Sequence, residues 1–188
     1  MQQTHYFFAV RIPEDTKVLM KDIMEKLQQS FPFDRWVHHQ DLHITLAFLG
    51  AAEAEKLTAA ESFVREGLET EKSFRLQING LGVFGREDSP RVFWADTVDS
   101  SELRIVRNKV YTACGKAGFQ LETRPFRPHI TLARKWSSET TFQKKRLEVW
   151  QELQSEPLSF QAKDVVLYQT YLNQTPKYKA ITIFPLQS

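Results

Sequence analysis

The chain has 188 residues, with 25 Lys and Arg against 23 Asp and Glu, a formal net charge of +2. Its 41% hydrophobic and 26% charged content is that of a globular protein and excludes a disordered one. A single cysteine, Cys114, excludes a disulfide framework and a Cys-rich zinc site. No segment approaches the roughly 18 consecutive apolar residues of a membrane span, and the small net charge means that any basic site must be local. The opening residues, Met1 to Val10, lack a basic n-region, and their apolar run is too short for a signal peptide. The expectation is a cytoplasmic, monomeric protein.

Residues 5–12 read as a strand of aromatic and β-branched residues ending at Pro13. Residues 14–29 carry Val18, Leu19, Ile23, Met24 and Leu27 at helical spacing. Residues 42–49 form a short apolar strand stopped by Gly50, and 52–68 a helix whose exposed face is acidic. Residues 74–84 and 91–97 read as paired strands around a turn at 85–90. A second amphipathic helix, Ser101–Lys116, is stopped by Gly118. A strand at 129–133, a helix at 139–153, and strands at 159–172 and 177–185 complete the chain. No linker or low-complexity stretch interrupts it.

An internal repeat organises these elements. His43-Ile44-Thr45-Leu46-Ala47 recurs letter for letter as His129-Ile130-Thr131-Leu132-Ala133, an offset of 86. The same offset carries Phe7-Phe8-Ala9 onto Phe93-Trp94-Ala95, Phe33 onto Phe119, Phe74 onto Phe160 and Leu81 onto Leu167. The expected fold is α+β and bilobal: two pseudo-symmetric lobes with antiparallel-rich sheets and flanking helices, the motif strands facing a central cleft. The copies would span about 5–86 and 91–172, with a closing strand at 177–185, all in one domain over 1–188.

Side chains alternate along a strand, so His43 and Thr45 share one face and Ile44 and Leu46 the other. The same holds for His129 and Thr131. Across a cleft, two such pairs suit phosphodiester cleavage. With an unperturbed pKa near 6.5, one neutral imidazole can take a proton from the nucleophile while the other, protonated, supplies the leaving oxygen. The Thr hydroxyls can donate to the non-bridging oxygens, and no metal or cofactor is required. The competing reading is packing: a lone His-x-Thr in a strand is ordinarily structural. Packing accounts for Ile44, Leu46, Ile130 and Leu132 better than for a polar pair kept in both copies. His38, His39 and His43 raise the question of a metal, but no second ligand cluster accompanies them.

At these residues the chain resembles the 2H phosphoesterase superfamily, and within it the bacterial and archaeal RNA 2′,3′-cyclic phosphodiesterases, also called 2′-5′ RNA ligase-like. The resemblance covers nearly the whole chain. It includes Phe7-Phe8-Ala9-Val10-Arg11-Ile12-Pro13, Trp36, and Asp41 through Gly50 around the first motif. It continues through Gly82-Val83-Phe84, Arg91-Val92-Phe93-Trp94 and Phe126 through Arg134, with Leu167-Tyr168 and Tyr178 near the end. It implies hydrolysis of a terminal 2′,3′-cyclic phosphate to a 2′-phosphomonoester, with His43 the proton donor and His129 the proton acceptor. The residues alone leave that division of roles open. The resemblance also implies that Phe48 and Arg134, each five past its His, flank the terminal base. Strict alternation puts them on the wrong face, so the strand must end or bend first.

Arg124, Arg127, Arg134 and Lys135 cluster at the second motif, and the run Lys144-Lys145-Arg146 follows, either tracking RNA or simply solvated. Arg127 shares parity with His129 and is the phosphate candidate among them. Glu53, Glu55, Glu61, Glu66 and Glu69 make the first lobe's helix acidic, so RNA is expected to approach over the second lobe. The partner is then RNA ending in a 2′,3′-cyclic phosphate, such as tRNA fragments, or a small cyclic nucleotide. Ligation of such ends to a 5′-hydroxyl uses the same His pair, and non-catalytic end binding is the alternative from another class.

Overall fold

The computed structural model describes residues 3–188; Met1 and Gln2, which open the segment read for a signal peptide, lie outside it. In chain order the elements are β1 (His5–Arg11), α1 (Glu14–Gln28), β2 (Phe33–Trp36), β3 (His43–Ala51), α2 (Ala54–Leu68), β4 (Phe74–Ile78), β5 (Leu81–Gly85), β6 (Pro90–Asp96) and α3 (Ser101–Lys116). They continue with β7 (His129–Trp136), a 3-10 turn at Lys144–Glu148, α4 (Val149–Leu153), β8 (Leu158–Ala162), β9 (Asp164–Thr170) and β10 (Tyr178–Pro185). Two four-stranded antiparallel sheets form the lobes, in the orders β10-β9-β1-β3 and β2-β7-β6-β5, and β4 pairs with β8 in a small third sheet. Among the described residues no helix is long and apolar enough to cross a membrane.

The lobes do not coincide with the two halves of the chain. In the first sheet β9 comes from the second half and pairs with β1; in the second, β5 comes from the first half and pairs with β6. Each half thus lends strands to the other's motif sheet, β9 and β10 to the first and β2 and β5 to the second. Two expected long strands break to allow this exchange. Residues 74–84 divide at Asn79-Gly80 into β4 and β5, which lie in different sheets, so only β5 pairs with β6. Asp96 holds that corner: its Oδ1 accepts from Asn79 N at 3.1 Å, and a Cβ on Gly80 would meet its Oδ2 at 2.9 Å. Residues 159–172 divide in the same way, at Lys163, into β8 and β9.

Three further expectations change. The buried stripe of α1 is Met20, Ile23, Met24 and Leu27, while Val18 and Leu19 stay about half exposed. The helix expected at 139–153 is reduced to its last third. Upstream the chain is held by side chains: Phe142 is buried against Trp136, whose Nε1 donates to the Thr140 carbonyl at 2.9 Å. The short strand β2 was hidden by its length, yet it adds an edge to β7, with Phe33 stacked on Phe93 at 5.0 Å. Its counterpart by the offset, Phe119, lies outside any strand. The second motif strand is therefore flanked on both sides, while β3 is the edge of its sheet.

One continuous apolar core lies between sheets and helices. It takes Phe8 and Val10 from β1, Ile44 and Leu46 from β3, Phe93 and Ala95 from β6, and Ile130 and Leu132 from β7. The alternate face of the first sheet carries a separate cluster of Phe7, Ala9, Val166 and Tyr168, with Tyr178 packed on it. That second face is the floor of the first motif.

Candidate active site

Each histidine opens its strand, and each ring is fixed in the same way. His43 Nδ1 lies 2.7 Å from the Asp41 carbonyl, and His129 Nδ1 lies 2.7 Å from the Arg127 carbonyl. A carbonyl oxygen only accepts, so in both rings Nδ1 carries the proton and donates, which leaves a lone pair on Nε2 of the neutral imidazole. His43 Nε2 meets Thr45 Oγ1 at 3.0 Å, where the hydroxyl donates. The motif strands run beside each other, and a charge on His129 is felt at His43.

Aromatic rings wall both imidazoles. His43 packs on Phe7 at 4.7 Å, edge-on to Tyr178 at 5.2 Å, with Tyr168 at 6.0 Å. His129 lies edge-on to Phe84 at 5.0 Å and 6.1 Å from Trp94. Trp94 can lie flat because residue 82 is glycine: a Cβ there would come within 2.1 Å of its Cη2. Removal from water disfavours the imidazolium. It pushes the pKa of His43 down to about 4, against the pull of the Asp41 hydrogen bond and charge, with His129 lowering it further. His129 is also lowered, first by burial and then by the Arg134 guanidinium, its bond to Arg127 opposing. Both rings are thus held neutral in the ligand-free protein near pH 7.

The displaced faces of Phe48 and Arg134 have a structural cause. Along β3, Ala9 pairs with Thr45 but Phe8 with Ala47, so Leu46 is an extra residue. Along β7, Trp94 pairs with Thr131 but Phe93 with Ala133, so Leu132 is the extra one. These matched β-bulges, 86 residues apart, flip the alternation. Leu46 and Ala47 are both buried, as are Leu132 and Ala133, and the next residues, Phe48 and Arg134, turn to the face of the histidines. Phe48 is 55% exposed, and Arg134 is near enough to His129 to lower its pKa and to Tyr178 to oppose the rise that burial causes there.

The cleft thus gathers His43, Thr45, Phe48, His129, Thr131 and Arg134. The carbonyl of Arg127, the expected phosphate candidate, orients His129, while its side chain is exposed and makes no ion pair among the described residues. Other expected cations are engaged elsewhere. Arg124 pairs with Glu122 at 2.8 Å, Lys135 with Asp34 at 3.5 Å, and Arg146 donates to the Ser30 carbonyl. His38 and His39 stack on each other at 4.5 Å, and His38 Nδ1 accepts from Gln40 N; His43 is turned to Asp41 instead.

Sequence reasoning named Asp41 beside the first motif but gave it no role. It is 4% exposed, and its two carboxylate oxygens accept from Lys177 N and Tyr178 N, both at 3.0 Å. The residue whose carbonyl orients His43 therefore also pins the start of β10, which brings the Tyr178 ring onto that imidazole. No local pattern signals a contact across 136 residues of chain.

Two matched His-Thr pairs with aromatic walls thus lie on neighbouring motif strands of a bilobal α+β frame. A family model described as the 2′-5′ RNA ligase superfamily matches residues 15–174, and the chain belongs to that superfamily. It is 39% identical over 186 residues to an RNA 2′,3′-cyclic phosphodiesterase of Geobacillus stearothermophilus, covering 99% of this chain but 58% of that protein. The chain thus spans well under two thirds of that relative's length. It is 36% identical over 184 residues to an RNA 2′,3′-cyclic phosphodiesterase of Bacillus subtilis, covering 97% of this chain and 96% of the relative. In fold it is similar to the crystal structure of E. coli LigT complexed with 3′-AMP, with a TM-score of 0.78, 24% identity and full coverage of both chains.

Proposed function

We propose that the chain hydrolyses RNA 2′,3′-cyclic phosphate ends to 2′-phosphomonoesters by two-histidine acid–base catalysis without a metal. The observation that carries this reading is the matched pair of imidazoles, each with Nδ1 tied to a carbonyl two residues back, so that Nε2 is the basic nitrogen, met in His43 by the hydroxyl of Thr45. With the cyclic phosphate between them, His129 Nε2 takes a proton from water as the water oxygen bonds to phosphorus. The bond from phosphorus to the 3′ oxygen breaks, and protonated His43 gives its Nε2 proton to that oxygen. Thr45 and Thr131 donate to the non-bridging oxygens, while Phe48 and Arg134 flank the terminal base, Phe48 by stacking. An anion in the cleft favours imidazolium, so substrate itself raises the depressed pKa of the acid. The Bacillus and Geobacillus relatives, named for this activity, support the substrate class.

The test is product analysis of an RNA with a 2′,3′-cyclic end in EDTA, resolving 2′- from 3′-phosphate. A 2′-phosphate product, lost at least about 10²-fold in His43→Ala and in His129→Ala, is expected. Loss of turnover in EDTA that a divalent ion restores would replace the two-histidine mechanism by metal-assisted hydrolysis. Joining to an added 5′-hydroxyl strand would establish ligation instead. Roles separate with a 3′ leaving group of low pKa: it should rescue His43→Ala and leave His129→Ala impaired, and the opposite result reverses them.

A further inference from the structure

The second lobe carries a basic pair that the first lacks. Arg35 on β2 is directly opposite Arg134 on β7 in antiparallel register, and both side chains are exposed. Trp36 and Ala133 pack on the core, with Trp36 edge-on to Phe93 at 5.9 Å, and so do Phe33 and Trp136 on the other side, where Lys135 at φ 63° breaks the alternation; Arg35, opposite the Arg134 that the bulge turns outward, is exposed on the same cleft-side face. Like charges directly opposite across a ladder repel, their Cβ atoms about 4.5–5.5 Å apart. Neither guanidinium has an acidic partner among the described residues, and the neighbouring carboxylate, Asp34, is occupied by Lys135 at 3.5 Å. Two unpaired cations set side by side at the rim of an anion-handling cleft are the arrangement that a second anion relieves.

Position fixes which anion. Arg134 reaches toward His129 and Tyr178, inside the cleft. Arg35 lies one strand further out, about 4.8 Å across the sheet, and five residues from His129 along β7, roughly 15 Å. That is beyond a cyclic phosphate held between the histidines, at the separation of a further phosphate of the same chain. The first sheet ends at β3, with no strand among the described residues in the place of β2, so the extension is one-sided.

We propose that Arg35, paired with Arg134, binds an internal phosphate upstream of the reacting end, so that the site selects the ends of RNA chains over free 2′,3′-cyclic mononucleotides. This rests on the phosphodiesterase reading and adds to it a substrate length and a direction of approach. Arg35 does not touch the reacting phosphate; its contact is made only when an upstream nucleotide is present.

The experiment compares wild type, Arg35→Gln and Arg35→Lys on a 2′,3′-cyclic mononucleotide and on a six-nucleotide RNA with the same end, over a series of salt concentrations. For Arg35→Gln, kcat/KM on the oligonucleotide should fall about fivefold to tenfold, with the mononucleotide unchanged. The slope of log kcat/KM against log salt should become shallower by about 0.7, the share of one single-strand phosphate contact. Arg35→Lys should recover most of the slope. Equal effects on both substrates, or an unaltered oligonucleotide rate and slope, would overturn the proposal. Binding of the six-nucleotide RNA carrying a 2′-phosphate, followed by anisotropy over the same salts, reads the contact without turnover. If wild type cleaves neither substrate the phosphodiesterase reading fails, while the binding slope still decides the role of Arg35.

Discussion

The histidine pair links the site to acid stability. His43 has a pKa pushed down to about 4, whereas in the unfolded chain it titrates near 6.5. As pH falls below 6.5 the unfolded chain takes up a proton that the folded protein refuses until about pH 4. Stability is therefore lost through that window, and the loss is complete below it. Between pH 7.5 and pH 4.5 the linkage amounts to about 2–3 kcal/mol from this one residue. For a chain of this size each kcal/mol is worth about 2–4 °C in Tm, so the contribution is roughly 5–10 °C. Carboxylates titrate in the same range, so the measurement is a difference. Wild type and His43→Gln are unfolded in urea at pH 7.5 and at pH 4.5, and the two pH decrements are subtracted. A glutamine side chain takes up no proton in this range, so the variant should lose about 2–3 kcal/mol less than wild type on acidification. An equal decrement in both proteins would mean that His43 is not desolvated, and the neutral resting pair would be refuted with it.

Thr45→Val and Thr131→Val each remove a hydroxyl proposed to donate to the charged phosphate, a bond worth about 1.5–3 kcal/mol, so kcat should drop roughly tenfold or more with Tm little changed; wild-type rates in both would make them packing residues. Asp41→Ala leaves the Lys177 and Tyr178 amides without their carboxylate. It should cost about 2–4 kcal/mol in urea unfolding and lower kcat as Tyr178 leaves His43, whereas unaltered kinetics in the folded variant would detach the anchor from catalysis. Gly82→Ala drives a methyl into Trp94; kcat should fall and Trp fluorescence shift, while an unchanged spectrum would show that the indole has room to yield.

The candidate His and Thr pairs were legible in the sequence because they repeat. A five-residue identity at a fixed offset, alternating polar and apolar, fixes the strand, the face of each His and Thr, and the pairing of two such faces. The apolar half of the pattern predicts the core correctly, since Ile44, Leu46, Ile130 and Leu132 are all buried. Phe48 and Arg134 were placed by resemblance against the alternation. The alternation was broken by bulges that belong to the pairing of β1 with β3 and of β6 with β7, and one strand read alone does not contain its partner's register. The exchange of β5 and β9 between lobes, the edge added by β2, and the reach of Asp41 to β10 are of the same kind. Local periodicity determines which side of a strand meets the core; which strand lies beside it, and so which residues share the cleft, is decided by hydrogen bonds and packing between segments far apart in the chain.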